Sequence, residues 1–382
     1  MPNTCNRPTL AMVMSVNNEA DYLKANLAYH HAVGVSRAYL FFDRCTDASE
    51  EIARQFPWVK IFKKDMGAEV EYTREHQNAC CSIAIENAAK DEIDWLLHLD
   101  ADELAFGESL GKGATGDQVE VKTRLGPFSF LGSCRRGDAS VEPDDERSLA
   151  DRASLVSMLQ TVSPETVQVV LETREAYPIT LESGSDFWKN TYFQTSTPLK
   201  RKIKDPLTNR VLKFKQLLGH NYGKSIVRVS KANEIEPLNA HRWTVRQTDR
   251  DSPFPENLPI PTELRGCHLH YLIATPAQWL AKYRRFASLN KFWPSGHAVG
   301  FPKGSWRIVA NSMNEKEASD YLERWIYMSD EKLAQLAARG KALYFTEVRD
   351  IIRDLEKTHW QRILLIAPTL EILTADLHIP FF

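Results

Sequence analysis

Four short apolar runs dominate the first hundred residues: Leu10–Val16 (LAMVMSV), Ala38–Phe42 (AYLFF), Val59–Phe62 and Trp95–Leu99. Segments of helical spacing separate them: Tyr22–Ala32, with Leu23, Leu27 and His30 on one face, then Ala48–Gln55 and Tyr72–Ala89. Runs this apolar read as strands buried on both faces, and regular strand–helix alternation predicts a doubly wound, mostly parallel α/β sheet with helices on both faces. In such sheets ligands bind beyond the carboxyl ends of the strands. Asn18, Asp43 and Asp100 all fall there.

Composition narrows the function classes. The 382 residues are 43% hydrophobic and 26% charged, which excludes general disorder and leaves room for a large core without metal or disulfide staples. With 48 basic and 50 acidic residues the net charge is −2, so no nucleic-acid partner is expected. The six cysteines (5, 45, 80, 81, 134 and 267) form no Cys-x-x-Cys pair and are expected as reduced thiols. Met1–Arg7 is polar, and Ile363–Ala367 is far shorter than the roughly 20 residues of a membrane span, so a cytoplasmic protein without a transmembrane segment is expected.

Past Phe106 the pattern weakens. Gly107–Gly116 is a glycine-rich loop, Leu199–Lys215 is strongly basic, and Gln247–Pro261 reads as irregular. Helical spacing returns at Ala277–Leu289, Glu315–Met328, Asp330–Leu343 and Phe345–Thr358. The expected division is a catalytic α/β unit over 1–290, with an insertion at about 107–218, and a helical C-terminal region over 291–382.

The chemistry concentrates in Trp95-Leu-Leu-His-Leu-Asp100-Ala-Asp102-Glu103. Period-two alternation puts Asp100 and Asp102 on one side and Glu103 on the other. Two like charges so close need a cation or a hydrogen-bond network, and hard Mg²⁺ or Mn²⁺ with a substrate diphosphate would supply it. Leu104 and Ala105 stand where an EF-hand loop needs a polar ligand and a glycine, so that reading fails. His268 and His270, two apart, share a face and suit one metal or one phosphate, or a half-buried structural pair; His241 is equally open. Gly219–Ser225 has one residue too few between its glycines for a phosphate-binding loop of the Walker type. Lys224 and Arg228 remain candidate phosphate or acceptor contacts. The basic run from 199 to 215 is either a solvated face or an anion site.

Taken together, these residues resemble the family 2 and family 92 type glycosyltransferases of the GT-A fold. Asn18-Glu19 with Tyr22-Leu23, Tyr29-His30 and Gly34-Val35 is similar to their opening, and Asp43 with Thr46-Asp47 to their turn after strand two. Gln77 on the long helix and Trp95–Glu103 match their W-x-x-x-x-D-x-D-E segment, and His270-Tyr271 with Trp279 and Lys282 resembles their late His-Tyr…Lys element. The likeness covers 10–106 and 219–290. It implies an inverting transfer of a sugar from a UDP- or GDP-linked donor to a hydroxyl of a glycan, lipid-linked or protein-linked acceptor, with Mn²⁺ or Mg²⁺. It implies donor-site roles for Asn18, Glu19 and Gln77, nucleobase contact by Asp43, ribose or sugar contact by Asp100, and metal ligation by Asp102, His270 and Asp100, with Asp100 and Asp102 as the catalytic acids. The base that takes the acceptor proton is not placed by the motifs; Glu182 and Asp186, beside aromatics, are the candidates. The alternatives are a nucleotidyltransferase and a non-catalytic carbohydrate- or partner-binding protein. Against the former, Asn17-Asn18-Glu19 stands where a glycine-rich, basic loop would follow strand one.

Overall fold

The computed structural model describes residues 7–63, 74–110, 148–179, 186–195, 199–214, 222–239, 241–246, 259–273, 275–287 and 303–358, with the backbone of four short strands between 119 and 136. The N-terminal half runs β1 (Leu10–Val16), α1 (Ala20–Ala32), β2 (Val35–Phe42), α2 (Ser49–Arg54), β3 (Val59–Lys63), α3 (Arg74–Lys90), β4 (Trp95–His98) and β5 (Glu103–Phe106). Short strands β6 (Val119–Glu120), β7 (Thr123–Leu125), β8 (Phe128–Phe130) and β9 (Ser133–Arg136) precede α4 (Leu149–Ala153), α5 (Leu155–Gln160) and β10 (Gln168–Glu175). There follow β11 (Tyr192–Gln194), β12 (Arg201–Lys204), β13 (Val211–Phe214), β14 (Lys224–Arg228), β15 (Ile235–Asn239), β16 (Arg242–Val245) and β17 (Thr262–His270). The C-terminal part is α6 (Pro276–Ala287), α7 (Lys303–Val309), α8 (Glu315–Trp325), α9 (Asp330–Ala338), β18 (Ala342–Tyr344) and α10 (Glu347–Lys357).

The main sheet has the order β3-β2-β1-β4-β14-β10-β17-β9-β6, with β5 paired to β17. Strands β3, β2, β1 and β4 are mutually parallel, β14 runs antiparallel to both neighbours, and β10 and β17 are parallel again. This is the mixed, mostly parallel sheet with helices on both faces and a helical C-terminal part that the pattern predicted.

Strand β1 shows why. Leu10, Met12, Met14 and Val16 join a core with Leu23, Leu27 and Tyr29 of α1, whereas Ala11 and Val13 join one with Cys80, Ala84, Ile85 and Ala88 of α3. One strand thus seeds two cores, at about 1.5–3 kcal/mol for each large aliphatic side chain fully buried.

The stretch 107–218, expected as an insertion, is woven into the main sheet in its described part. Its later part supplies β10, a central strand between β14 and β17, and Leu155, Val156 and Leu159 of α5 sit in the same core as β1. The boundary near 290 also crosses a packed cluster: Trp279, Leu280 and Tyr283 of α6 pack with Trp306 of α7 and Leu322 of α8. The helix expected over 330–343 stops at Ala338; Gly340 has φ of +64°, and Ala342–Tyr344 then pairs with β11 as a strand.

Candidate functional site

The acid motif lies on a turn, not on a continuing strand. The chain leaves β4 at His98 and returns as β5 from Glu103, which pairs antiparallel with β17 so that Glu103 faces His270 in register. Gly266 permits this approach: its φ is +63°, and a Cβ there would sit 2.7 Å from the Phe106 carbonyl. Within the turn the Glu103 amide donates to the Asp100 carbonyl (3.1 Å), and the Asp100 amide donates to Glu103 Oε2 (2.9 Å). Period-two alternation therefore does not apply, and the grouping of the acids is reversed. Asp100 and Glu103 share one partner, and Asp102 faces another.

The shared partner is Lys224, at the start of β14 and fully buried. Its Nζ lies 2.7 Å from Asp100 Oδ2 and 3.1 Å from Glu103 Oε2. Burial lowers this ammonium's pKa, but the two carboxylates overcome that and raise it above the ordinary lysine value. Glu103 is pushed up by burial yet held well below the usual carboxylate range by Lys224 and then by His268, whose Nε2 is 3.5 Å from Glu103 Oε1. Burial keeps His268 below its normal value. Lys224 thus stands under the acids, holding Asp100 in place, rather than over them. Asp100 is the outward-facing member, with 34% of its side chain exposed.

Asp102 has its own cation. Lys282 Nζ, from α6, lies 2.5 Å from Asp102 Oδ2, and His270 Nε2 lies 3.6 Å from the same oxygen. Burial pushes Asp102 up, but Lys282 and then His270 hold it well below the carboxylate range. In return Asp102 raises His270 and Lys282 against the burial that would lower both. The Tyr271 amide donates to the Asp102 carbonyl (2.9 Å), fixing the turn to the end of β17.

Helix α1 supports the turn from behind. Asn26 Nδ2 donates to the carbonyls of Ala101 (3.0 Å) and Glu103 (2.8 Å). The Ala105 amide donates to His30 Nε2 (3.1 Å), so His30 carries its proton on Nδ1 and donates to the Asn26 carbonyl (2.9 Å). His30, read from the sequence as part of an apolar face, is a hydrogen-bonding post.

The ends of β1 and β2 form the next wall. Asn18 adopts φ of +55°, and its Oδ1 accepts from the amides of Thr46 (2.7 Å) and Asp47 (3.2 Å). Asn17 Nδ2 donates to the carbonyl of buried Asp43 (2.9 Å), whose carboxylate pairs with Arg44 (3.0 Å). Arg285 of α6 donates to the Asn17 carbonyl (2.5 Å) and lies 3.2 Å from Glu19 Oε1. Burial nevertheless raises Glu19 to about 7: Arg285 opposes it and the nearby Asp102 charge adds to it. Gln77 is half-buried on α3 next to His76, whose Nε2 is 3.3 Å from Ser15 Oγ.

Helix α6 closes the cluster. Gln278, Lys282 and Arg285, at i, i+4 and i+7, reach Asp21 (3.0 Å), Asp102 and Glu19, while Trp279, Leu280 and Tyr283 face the C-terminal core. Sequence reasoning marked Lys282 only through the His-Tyr…Lys resemblance and missed Gln278 and Arg285. The available signal was their spacing on one helical face.

Other candidates fall elsewhere. Arg228 is at the far end of β14, about 13 Å along the strand from Lys224, stacked on Trp95 (4.2 Å) and donating to the Thr166 carbonyl (2.9 Å). His241 Nδ1 lies 2.9 Å from the Gly223 carbonyl. Asp186 is at the surface, 3.0 Å from Lys189, and Glu182 lies outside the described residues.

Asp102 Oδ2 and His270 Nε2 lie 3.6 Å apart, but Lys282 Nζ is 2.5 Å from the same oxygen, just as Lys224 is turned to Asp100. Among the described residues no group of three or more His, Cys, Asp or Glu side chains is disposed around one point. A divalent cation here would have at most Asp102 and His270 as protein ligands, would have to displace Lys282 from Asp102, and would complete its shell with substrate phosphates and water.

No family model matches this chain, and no curated protein matches it. Solved structures with some likeness include S. aureus TarS, at 14% identity over 25% of this chain and TM-score 0.20. The overlap spans only 17% of the TarS chain. A 4-diphosphocytidyl-2C-methyl-D-erythritol synthase aligns at 8% identity over 68% of this chain and 89% of its own, TM-score 0.30. HddC from Yersinia pseudotuberculosis aligns at 8% identity over 69% and 93%, TM-score 0.29. None of these overlaps is large enough to assign an activity.

Proposed function

We propose that this chain is a glycosyltransferase that takes a sugar from a UDP- or GDP-linked donor and passes it to a hydroxyl acceptor. The observation that carries the reading is a two-level charge cluster beyond the carboxyl ends of β1, β2 and β4. The lower level, Lys224, Glu103 and His268, is fully buried and acts as framework. The upper level, Asp100, Lys282 and Glu19, is partly open, with Asp102 and His270 just beneath it.

In this reading Lys282 and Arg285 meet the donor diphosphate, Asp100 accepts hydrogen bonds from ribose or sugar hydroxyls, and Asp43, with Asn18, Glu19 and Gln77 around it, frames the nucleobase end. The acceptor oxygen attacks the anomeric carbon as the bond to the diphosphate oxygen breaks. The electron pair leaves with the nucleoside diphosphate, and a base takes the acceptor proton. Cations pre-set beside the leaving oxygen stabilise charge that grows only in the transition state. Mn²⁺ or Mg²⁺ held by Asp102 and His270 would add to that neutralisation.

The test is product analysis with UDP- and GDP-sugars: nucleoside diphosphate and sugar released or transferred, and lost in Asp102→Asn. Pyrophosphate release from nucleoside triphosphate and sugar phosphate would instead identify a nucleotidyltransferase.

A further inference from the structure

The basic run that the proposed site leaves unused forms the hairpin β12–β13. Among the described residues five large hydrophobic side chains are exposed, and three belong to this hairpin: Leu207 (47%), Val211 (51%) and Leu212 (37%). Exposed Lys200, Lys202, Arg210 and Lys213 accompany them. In the register Val211 falls on the face of Lys202 and Lys213, with Leu207 at the turn, whereas Leu212 stands opposite the buried Ile203 on the other face. The single acid between residues 199 and 214, Asp205, is buried and turned inward, accepting from the Leu207 amide (3.0 Å) and the Thr208 hydroxyl (2.6 Å). The outer surface of the hairpin therefore carries positive charge and aliphatic side chains, with no negative charge.

The pairing adds a second observation. Lys202 stands directly opposite Lys213 in antiparallel register, and Lys204 opposite Val211. Like charges placed across a strand pair are destabilising unless an anion offsets them. The base of the hairpin is firmly held. Ile203 is fully buried in the core of Trp279, Trp306 and Leu322, Arg201 donates to the Ile326 carbonyl, and Tyr321 donates to the Lys204 carbonyl (2.9 Å).

We propose that this hairpin docks the protein on an anionic lipid surface. A soluble polyanion would be matched by the cations alone; the exposed aliphatic side chains of Leu207 and Val211 among them suit a surface that is anionic at the headgroups and apolar beneath. No helix among the described residues is long and apolar enough to cross a membrane, so such docking would be peripheral. The same helix, α6, supports the hairpin on one face and presents Lys282 and Arg285 to the acid cluster on the other. The inference does not depend on the transferase reading.

The experiment is co-sedimentation of the full chain with phosphatidylcholine vesicles, with and without phosphatidylglycerol, at low and high salt. The protein should pellet only with the anionic vesicles and dissociate as salt rises. The charge-reversed variant K202E/R210E/K213E should bind at least about tenfold more weakly, and Leu207→Ser with Val211→Ser should also weaken binding. All five positions are exposed, so unchanged thermal melting should accompany the loss. Failure to pellet with anionic vesicles, or equal pelleting by the charge-reversed variant, would overturn the proposal. So would full retention by the serine variant together with displacement by heparin, which would mean a soluble polyanion instead.

Discussion

Lys282 Nζ lies 2.5 Å from Asp102 Oδ2, a contact that spans 180 residues of sequence. It joins α6 to the turn after β4 and gives the second acid of the motif a cation of its own. The first acid, Asp100, is matched by Lys224 from a different strand. Each half of the acid pair is therefore balanced by a lysine that arrives from far along the chain. That answers the question raised by two neighbouring carboxylates at a strand end, which cost free energy unless charge offsets them.

Removing Lys282 should show this coupling. Lys282→Met leaves a nearly buried Asp102 charge without its closest partner and should destabilise the fold by about 1–3 kcal/mol, less than for a fully enclosed pair because Lys282 is partly open. Adding Asp102→Asn should recover much of the loss. Urea denaturation of the two single variants and the double variant measures the coupling energy, and simple additivity would count against the pair.

Lys224 is the more severe case. It is enclosed with Glu103, so Lys224→Met should cost about 3–5 kcal/mol in denaturant unfolding. A loss below about 1 kcal/mol would mean that the ammonium is not the counter-charge of the turn.

Two buried histidines should weaken the fold on acidification in a defined window. Burial holds His30 and His98 down to about 4, against an ordinary value of 6.5, with the Lys224 cation adding to the effect at His98. Because the folded values are the lower ones, these two residues contribute stability above pH 6.5 that is lost as pH falls towards 4, up to about 3 kcal/mol each. Glu19, raised to about 7, contributes stability as pH falls through the same range, so the histidine contribution is read from the variant and not from the net melting curve. In His30→Gln the slope should be shallower by up to one proton, with a lower plateau at neutral pH from the disturbed Ala105 amide. An unchanged slope would contradict the assignment.

The parallel half of the fold was legible because β1 to β4 are local strand–helix units whose apolar runs announce double burial. The order of the remaining strands was not. Inserting β14 antiparallel between β4 and β10 depends on pairing with residues far along the chain, Ile226 with Leu97 on one side and Ile226 with Val169 on the other, and nothing in the local pattern of Lys224–Arg228 encodes its neighbours. The acid motif itself was legible as chemistry but not as geometry. Alternation holds along a strand, and here residues 99–102 turn, so Glu103 and Asp100 meet at one lysine. Gln278 and Arg285 were visible as polar positions on an amphipathic helix, but their targets emerge only when α6 packs across the end of β1.

The most direct measurement is thermal melting with UDP, GDP, ADP and CDP, each with and without Mn²⁺. A ligand that binds only the folded state at a hundred times its Kd adds about 2.7 kcal/mol of stability. The proposed site predicts a raised melting temperature with UDP or GDP, larger when Mn²⁺ is present, and a reduced shift in Lys282→Met and Asp102→Asn. A flat response to every diphosphate, or stabilisation only when the corresponding nucleoside triphosphates are added to the same panel, would contradict a nucleotide-sugar donor site at this cluster.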